Sequence, residues 1–268
     1  MKKVSSFLFG LFFMCCLGPY SANAETINLW YPPSWKSKQA HSLYIAQSLS
    51  KTSGHKIIPK VARSYPELLE DFSSNTKNIV YVGSFVQALI KARGIGTPLV
   101  QTLNGRDFYS GIMIYPLGGE PEAILRDFPE QITYAKGSSS GESSAKAATN
   151  GKAMRGIASH RAAADLVAFG KKKAAFVKNW WWQSNKENYP MLSEYNVPGV
   201  SIAKHADNVL TASKSIPDSI LPDIINAAII SKDAFGASSV VVFDESKLNF
   251  SLDMMKKAGI DPLTYSWK

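Results

Sequence analysis

Residues 136–148, KGSSSGESSAKAA, admit two opposed readings. The Ser/Gly half has the composition of a slack linker, whereas the Ala-rich half is good helix. The flanks decide between them. A linker runs between polar, structureless segments, but here Ile132-Thr133-Tyr134-Ala135 is a short strand pattern and the Ala-rich tail continues as a helix. Strand, tight Gly/Ser turn and helix start form the setting of an anion site. The first N–H groups of a helix lack intrahelical partners and sit at the positive end of its dipole, so they favour phosphate or carboxylate. Gly137 and Gly141 let backbone approach a ligand, and Ser138, Ser139 and Ser140 add hydroxyl donors.

Two other readings of the stretch stay open. Ser138 or Ser140 can serve only as a helix N-cap. Gly137 to Gly141 also spells G-x-S-x-G, and Asp165 and His205 follow in the order a serine hydrolase needs, which makes Ser139, Asp165 and His205 a candidate triad. No HGGG-like oxyanion loop precedes them, and in a run of three serines the middle one is unremarkable.

Outward from this stretch the hydrophobic period switches repeatedly between strand and helix. Upstream, residues 25–31, 56–61 and 78–82 alternate as strands; 41–50, 65–72 and 84–92 have helical spacing, with Pro66 well placed in a first turn. Strand patterns at 99–103 and 109–115 lead to a Pro/Gly-rich loop, 116–121. Downstream, residues 156–159, a helix over 161–170 and the apolar run 174–177 make a second strand-helix series. A strand at 208–213 and helices over 222–231 and 245–258 close the chain. Such alternation predicts an α/β fold with parallel pairing and helices on the sheet faces.

Residues 1–24 have the pattern of a cleavable export signal: Lys2 and Lys3, an apolar run from Phe7 to Leu17, and Ala22 and Ala24 as small residues at −3 and −1. The mature chain is expected to start at Glu25 and to lose both cysteines, Cys15 and Cys16, so that no disulfide, thiolate nucleophile or thiolate ligand remains. The 268 − 24 = 244 remaining residues suffice for one large or two smaller lobes. The formal charge falls from +9 to +7 with Lys2 and Lys3, which suits a solvated basic surface or an anionic ligand. The four histidines, His41, His55, His160 and His205, are spread singly, without metal-site spacing. Lys171-Lys172-Lys173 and Trp180-Trp181-Trp182 read as a solvated helix end and a packed cluster in preference to a membrane contact, since three consecutive residues cannot share one face. With export and no recognisable module, nucleic acid is not expected.

The order of motifs carries more than any one of them: an export signal, two strand-helix series, Ser138-Ser139-Ser140-Gly141 after a strand, Ser159-His160 before a helix, Ala174-Ala175-Phe176-Val177, then Ser215-Ile216-Pro217. In that order the mature chain resembles the periplasmic solute-binding proteins of phosphate/phosphonate-type ABC transporters, the phosphonate-binding family. The resemblance implies a type II periplasmic-binding-protein fold of two lobes, each a mostly parallel sheet flanked by helices. Residues 25–107 with 206–268 would form a discontinuous first lobe and 108–205 the second, with crossings near 104–108 and 205–209. It further implies a small oxyanion held between the lobes by Ser138, Ser139, Ser140, Ser159 and His160, with Tyr65 and Tyr109 as cleft aromatics. The protein would be a periplasmic monomer without catalysis, cofactor or metal, partnered by an ABC permease or by a membrane sensor. One departure bears on the ligand: where members that bind an aminoalkyl phosphonate tend to carry Asp, this chain has Lys178-Asn179, and a lysine there repels an ammonium.

Overall fold

A computed structural model describes residues 24–267. The expected export signal, with Cys15 and Cys16, lies outside the described residues apart from Ala24. The chain opens with three strand-helix units: β1 (Thr26–Tyr31) and α1 (Gln39–Ser53), β2 (Lys56–Val61) and α2 (Tyr65–Phe72), β3 (Asn78–Val82) and α3 (Ser84–Arg93). Local chemistry sets their ends. Ser64 accepts a hydrogen bond from the Glu67 N–H to cap α2, with Pro66 in its first turn, and α3 stops at Gly94 in the left-handed conformation, φ 63°.

After β4 (Gly96–Leu103) the chain leaves this sheet through the two-residue β5 (Phe108–Tyr109) and builds a second one. Its elements are β6 (Gly111–Pro116), α4 (Pro121–Asp127), β7 (Ile132–Ala135), α5 (Ser144–Ala148), β8 (Arg155–Ile157), α6 (His160–Ala168), β9 (Ala174–Lys178), α7 (Asn179–Asn185) and β10 (Leu192–Tyr195). The chain returns through β11 (His205–Ala206) and finishes with β12 (Val209–Ser213), α8 (Leu221–Ile230), β13 (Ser239–Val242) and α9 (Asn249–Lys257). The outgoing and returning segments pair antiparallel, Tyr109 opposite His205, so both crossings run side by side.

The first sheet has strand order β13-β4-β12-β3-β1-β2 and the second β10-β6-β9-β7-β8. Helices flank both, as the α/β alternation predicts, but the pairing is mixed, not mostly parallel. Strand β1 runs parallel to β2 and β3, and β7 parallel to β8 and β9, whereas β12, β13, β6 and β10 pair antiparallel. The reason is topological. Parallel pairing needs a crossover, which the helices between β1, β2 and β3 and between β7, β8 and β9 supply, while a strand such as β6 or β12, entering from the other sheet, carries no such constraint. The inserted β12 is central: all five of its residues, like all five of its neighbour β3, are buried.

Candidate functional site

The Ser/Gly stretch is neither linker nor catalytic elbow. Strand β7 ends at Ala135, Gly137 turns with φ +72°, and Ser139–Ser143 form a π-helical turn that runs on into α5. Ser138 is the cap of this helix: its hydroxyl donates to the Ala135 carbonyl at 2.9 Å and accepts from the Gly141 N–H at 3.0 Å. Glu142, fully buried, reaches back to accept from the Gly137 N–H at 2.7 Å. Both glycines are required by close approach. A Cβ on Gly141 would lie 2.5 Å from the Ala135 carbonyl oxygen, and one on Gly137 would lie 2.2 Å from the Tyr65 ring.

Ser139 and Ser140 are buried beyond the cap. Ser84, the first residue of α3 in the first sheet unit, donates to Ser139 Oγ at 2.9 Å, and the Tyr109 hydroxyl bonds Ser84 Oγ at 2.9 Å. The N-terminus of α3 and the serine turn thus meet through side chains, with Tyr109 from the crossing strand between them. Ser140 Oγ is enclosed and has no hydrogen-bond partner among the described residues.

Ser159 caps α6, accepting from the Ala162 N–H at 3.2 Å, and His160 is the first helical residue. The imidazole lies 6.0 Å from the Trp181 ring, and its Nδ1 is enclosed without a hydrogen-bond partner. Burial, reinforced by the nearby Lys178 ammonium, pushes its pKa down from 6.5 to about 3, so it is neutral at ordinary pH. Lys178 itself pairs with Asp207 at 2.8 Å and lies over the rings of Tyr109 and Trp180, at 4.3 and 4.5 Å. Burial holds the Tyr109 phenol protonated, its pKa raised above the usual value. Tyr65 stacks on Trp267 with centroids 4.9 Å apart, and its pKa is raised by burial and then by the charge of Glu142.

The expected set therefore divides. Ser139 and Tyr109 are joined through Ser84, with His160 near Lys178 beside Tyr109; Tyr65 covers the turn at Gly137. The hydroxyls of Ser138 and Ser159 are taken up as caps. The candidate triad does not assemble, because His205 Nδ1 bonds Ser251 Oγ at 2.9 Å, Asp165 accepts from the Tyr189 hydroxyl at 2.8 Å and Ser139 pairs with Ser84. Trp182 is buried in the core while Trp180 and Trp181 pack against Tyr109 and His160. Lys173 lies over Phe128, away from them. Among the described residues no group of His, Cys, Asp and Glu is placed to hold a metal, and no helix is long and apolar enough to cross a membrane.

Four participants escape the sequence reading: Ser84, Asp207, Glu142 and Trp267. Two left a signal. Gly83-Ser84 after β3 repeats the small-residue turn of Gly137-Ser138, and Ser139-Ser140-Gly141-Glu142 has the S-x-x-E spacing of a capping box. Glu142 also accepts from Lys146 at 3.2 Å, from Trp267 Nε1 at 2.9 Å and from the Tyr265 hydroxyl, so the turn anchors the C-terminal segment. Nothing in the local sequence joins position 142 to position 267.

Solved structures share this fold. A binding protein component of an ABC phosphonate transporter from Pseudomonas aeruginosa aligns with TM-score 0.68 at 15% identity, over 88% of each chain. The fold is that of the phosphonate-type periplasmic binding proteins. A Prochlorococcus marinus protein of this fold, determined with methylphosphonate, aligns with TM-score 0.67 at 13% identity over 87% of this chain and 98% of its own. A Xanthomonas citri protein bound to ATP aligns with TM-score 0.67 at 12% identity, over 87% and 97%. No protein-family model and no curated protein sequence matches the chain. At such identities the likeness concerns the fold alone.

Proposed function

We propose that this chain is an exported, periplasmic solute-binding protein that captures a small oxyanion of the phosphate, phosphite or phosphonate type between two lobes and delivers it to an ABC importer, with no catalysis of its own. The lobes would be the first sheet unit, 25–107 with 206–268, and the second, 108–205. The observation that carries this reading is the Ser84, Tyr109 and Ser139 hydrogen-bonded cluster, which sets two helix N-termini from different sheets against each other. Helix N-termini and hydroxyls favour an oxyanion, and Ser140 Oγ and His160 Nδ1, enclosed without partners, are buried polar atoms that a ligand would satisfy. The phosphonate-transporter and methylphosphonate-bound proteins of the same fold support the ligand class.

Lys178 sharpens the choice. Its ammonium already fills the carboxylate and aromatic surroundings, Asp207, Tyr109 and Trp180, that a ligand ammonium would need. Aminoalkyl phosphonates are therefore disfavoured against compact oxyanions. The test is thermal unfolding of residues 25–268 against phosphate, phosphite, methylphosphonate, sulfate and carboxylates. A ligand present at 100 times its Kd adds about 2.7 kcal/mol of stability. A selective shift with one oxyanion that His160→Ala removes, with the ligand-free Tm nearly unchanged, is the expected result; no shift with any of them overturns the reading.

A further inference from the structure

The second sheet has two unlike ends. Strands β7, β8 and β9 run parallel, and their C-terminal ends carry the serine turn, the Ser159-His160 pair and Lys178. Their N-terminal ends form the opposite rim. Strand β6 is antiparallel to β9 and finishes at this rim, with Ile114 opposite Ala175; β10 is antiparallel to β6 and starts there, with Leu192 opposite Pro116. Five chain segments thus meet along one edge, and each leaves one large apolar side chain exposed: Met191, Leu117, Phe169, Phe128 and Met154, in the strand order β10-β6-β9-β7-β8. They are 46 to 79% exposed and are five of the twelve large apolar side chains left exposed among the described residues. Scattered singly, such side chains need no explanation; gathered on one edge they mark an interaction surface.

Lys171-Lys172-Lys173 lead into β9, the middle strand of this rim. Lys173 Nζ lies 5.5 Å from the Phe128 ring and its backbone N–H bonds the Gln131 carbonyl at 3.0 Å, while Lys172 Nζ donates to the Glu130 carbonyl at 3.4 Å. Residues 128–131 and 169–173 are therefore one patch. Among the described residues none of the three lysines is in an ion pair. The carboxylates nearby are taken or dispersed. Asp127 pairs with Arg126 at 2.8 Å, Glu122 accepts from the Tyr195 hydroxyl at 2.9 Å, and Glu120, Glu130 and Glu187 stand in three separate segments, where Lys152 and Lys186 add two further cations. The tryptophans that follow the lysines in sequence lie past the other end of β9, about 17 Å away by strand rise. The lysines thus share their surface with Phe128 and Phe169 in place of Trp180-Trp181-Trp182.

We infer that this rim is a docking surface for an anionic lipid membrane, with the five apolar side chains entering the interface and Lys171, Lys172 and Lys173 against the headgroups. The charge at the centre of the rim selects an anionic partner and opposes a second copy of the chain, which would set lysines against lysines. The apolar side chains stand singly at the tips of separate segments, Leu117 beside Gly118 and Phe169 beside Gly170, both glycines left-handed. Single tips suit a fluid interface, which needs no fixed pocket opposite each. Because the rim is the far end of the sheet from the candidate oxyanion residues, docking leaves those residues free, and the inference stands apart from the ligand reading.

Co-sedimentation of residues 25–268, which omits the apolar leader, with vesicles of phosphatidylcholine and phosphatidylglycerol in equal parts, and of phosphatidylcholine alone, tests it. Binding is expected to the anionic vesicles only and to fall as salt is raised. Lys171→Gln with Lys173→Gln should weaken it about tenfold or more, and Leu117→Ser with Phe169→Ser by a similar factor. All four side chains are exposed, so the thermal unfolding of both variants should match the parent. Tyr44→Ser, an equally exposed aromatic on α1 of the first unit, should bind as the parent does. No binding to the anionic vesicles, or binding that survives both pairs of substitutions, overturns the inference. A dimer in sedimentation equilibrium that Leu117→Ser with Phe169→Ser splits would also overturn it, since the rim would then be covered by a second copy.

Discussion

At the scale of single residues, burial decides chemistry that side-chain identity leaves open. His160 and His205 both have pKa values lowered from 6.5 to about 3, His205 by burial and His160 by burial and Lys178. Between those two pH values the unfolded chain holds protons that the folded chain refuses. Stability is therefore full above about pH 6.5 and is lost as pH falls toward 3, at no more than about 1.4 kcal/mol per pH unit for each histidine. Unfolding measured across pH 4–7 should show this slope, and His205→Gln, which keeps a bond to Ser251, should reduce it; an unchanged slope would exclude His205 as a source. Gly137 is the other decisive residue. Gly137→Ala combines a left-handed φ of 72° with a Cβ 2.2 Å from the Tyr65 ring and is expected to cost about 3 kcal/mol, read by urea unfolding. Both glycines and the serines were legible in the sequence as a turn. Which hydroxyls cap and which remain inside was not, because Ser138 and Ser139 are adjacent and chemically identical and only Ser84, 55 positions away, distinguishes them.

At the scale of elements, the serine turn and the C-terminal segment form one unit through Glu142. Its carboxylate takes donors from Gly137, Lys146, Tyr265 and Trp267, while Arg93 Nη2 holds the Tyr265 carbonyl at 2.6 Å. Glu142→Gln leaves Lys146 without its carboxylate and puts an amide donor among donors. A loss of about 3 kcal/mol is expected, with residues 261–267 newly open to limited proteolysis; a variant as stable and as resistant as the parent would refute the anchoring role. The elements with strong periods were read closely from sequence, β3 at Asn78–Val82 and β7 at Ile132–Ala135 among them. Short or partner-dependent ones were missed. The β13 strand, Ser239–Val242, is a brief β-branched run beside β4, and α7 is a helix of Asn179–Asn185 whose three tryptophans read as a cluster without a period.

At the scale of the whole molecule, the two sheet units meet at the Ser84 to Ser139 bond of 2.9 Å, at the Lys178–Asp207 pair and where Glu142 holds Trp267, and the paired crossings β5 and β11 are where the chain passes between them. On the proposed solute-binding reading, opening the molecule breaks the Ser84 to Ser139 bond. With the chain's own cysteines only at positions 15 and 16, Ser84→Cys with Ser139→Cys, expressed from Glu25, places a new pair at this junction. Oxidised, it is expected to hold the units together and block ligand exchange, and reduced to restore it; solution scattering and ligand titration under both conditions check this, and free exchange in the oxidised form would mean that the junction is not where the molecule opens. By itself the sequence determined the α/β class and the strand-turn-helix at 132–148, because these depend on near-neighbour periodicity and on the backbone demands of glycine, serine and proline. Tertiary structure alone decided the mixed pairing of the sheets, the partnering of Lys178 with Asp207, the meeting of Ser84 with Ser139 and the anchoring of Trp267 on Glu142. Each of these joins residues 29 or more positions apart, and side chains that distant acquire their roles only when the packed core sets them side by side.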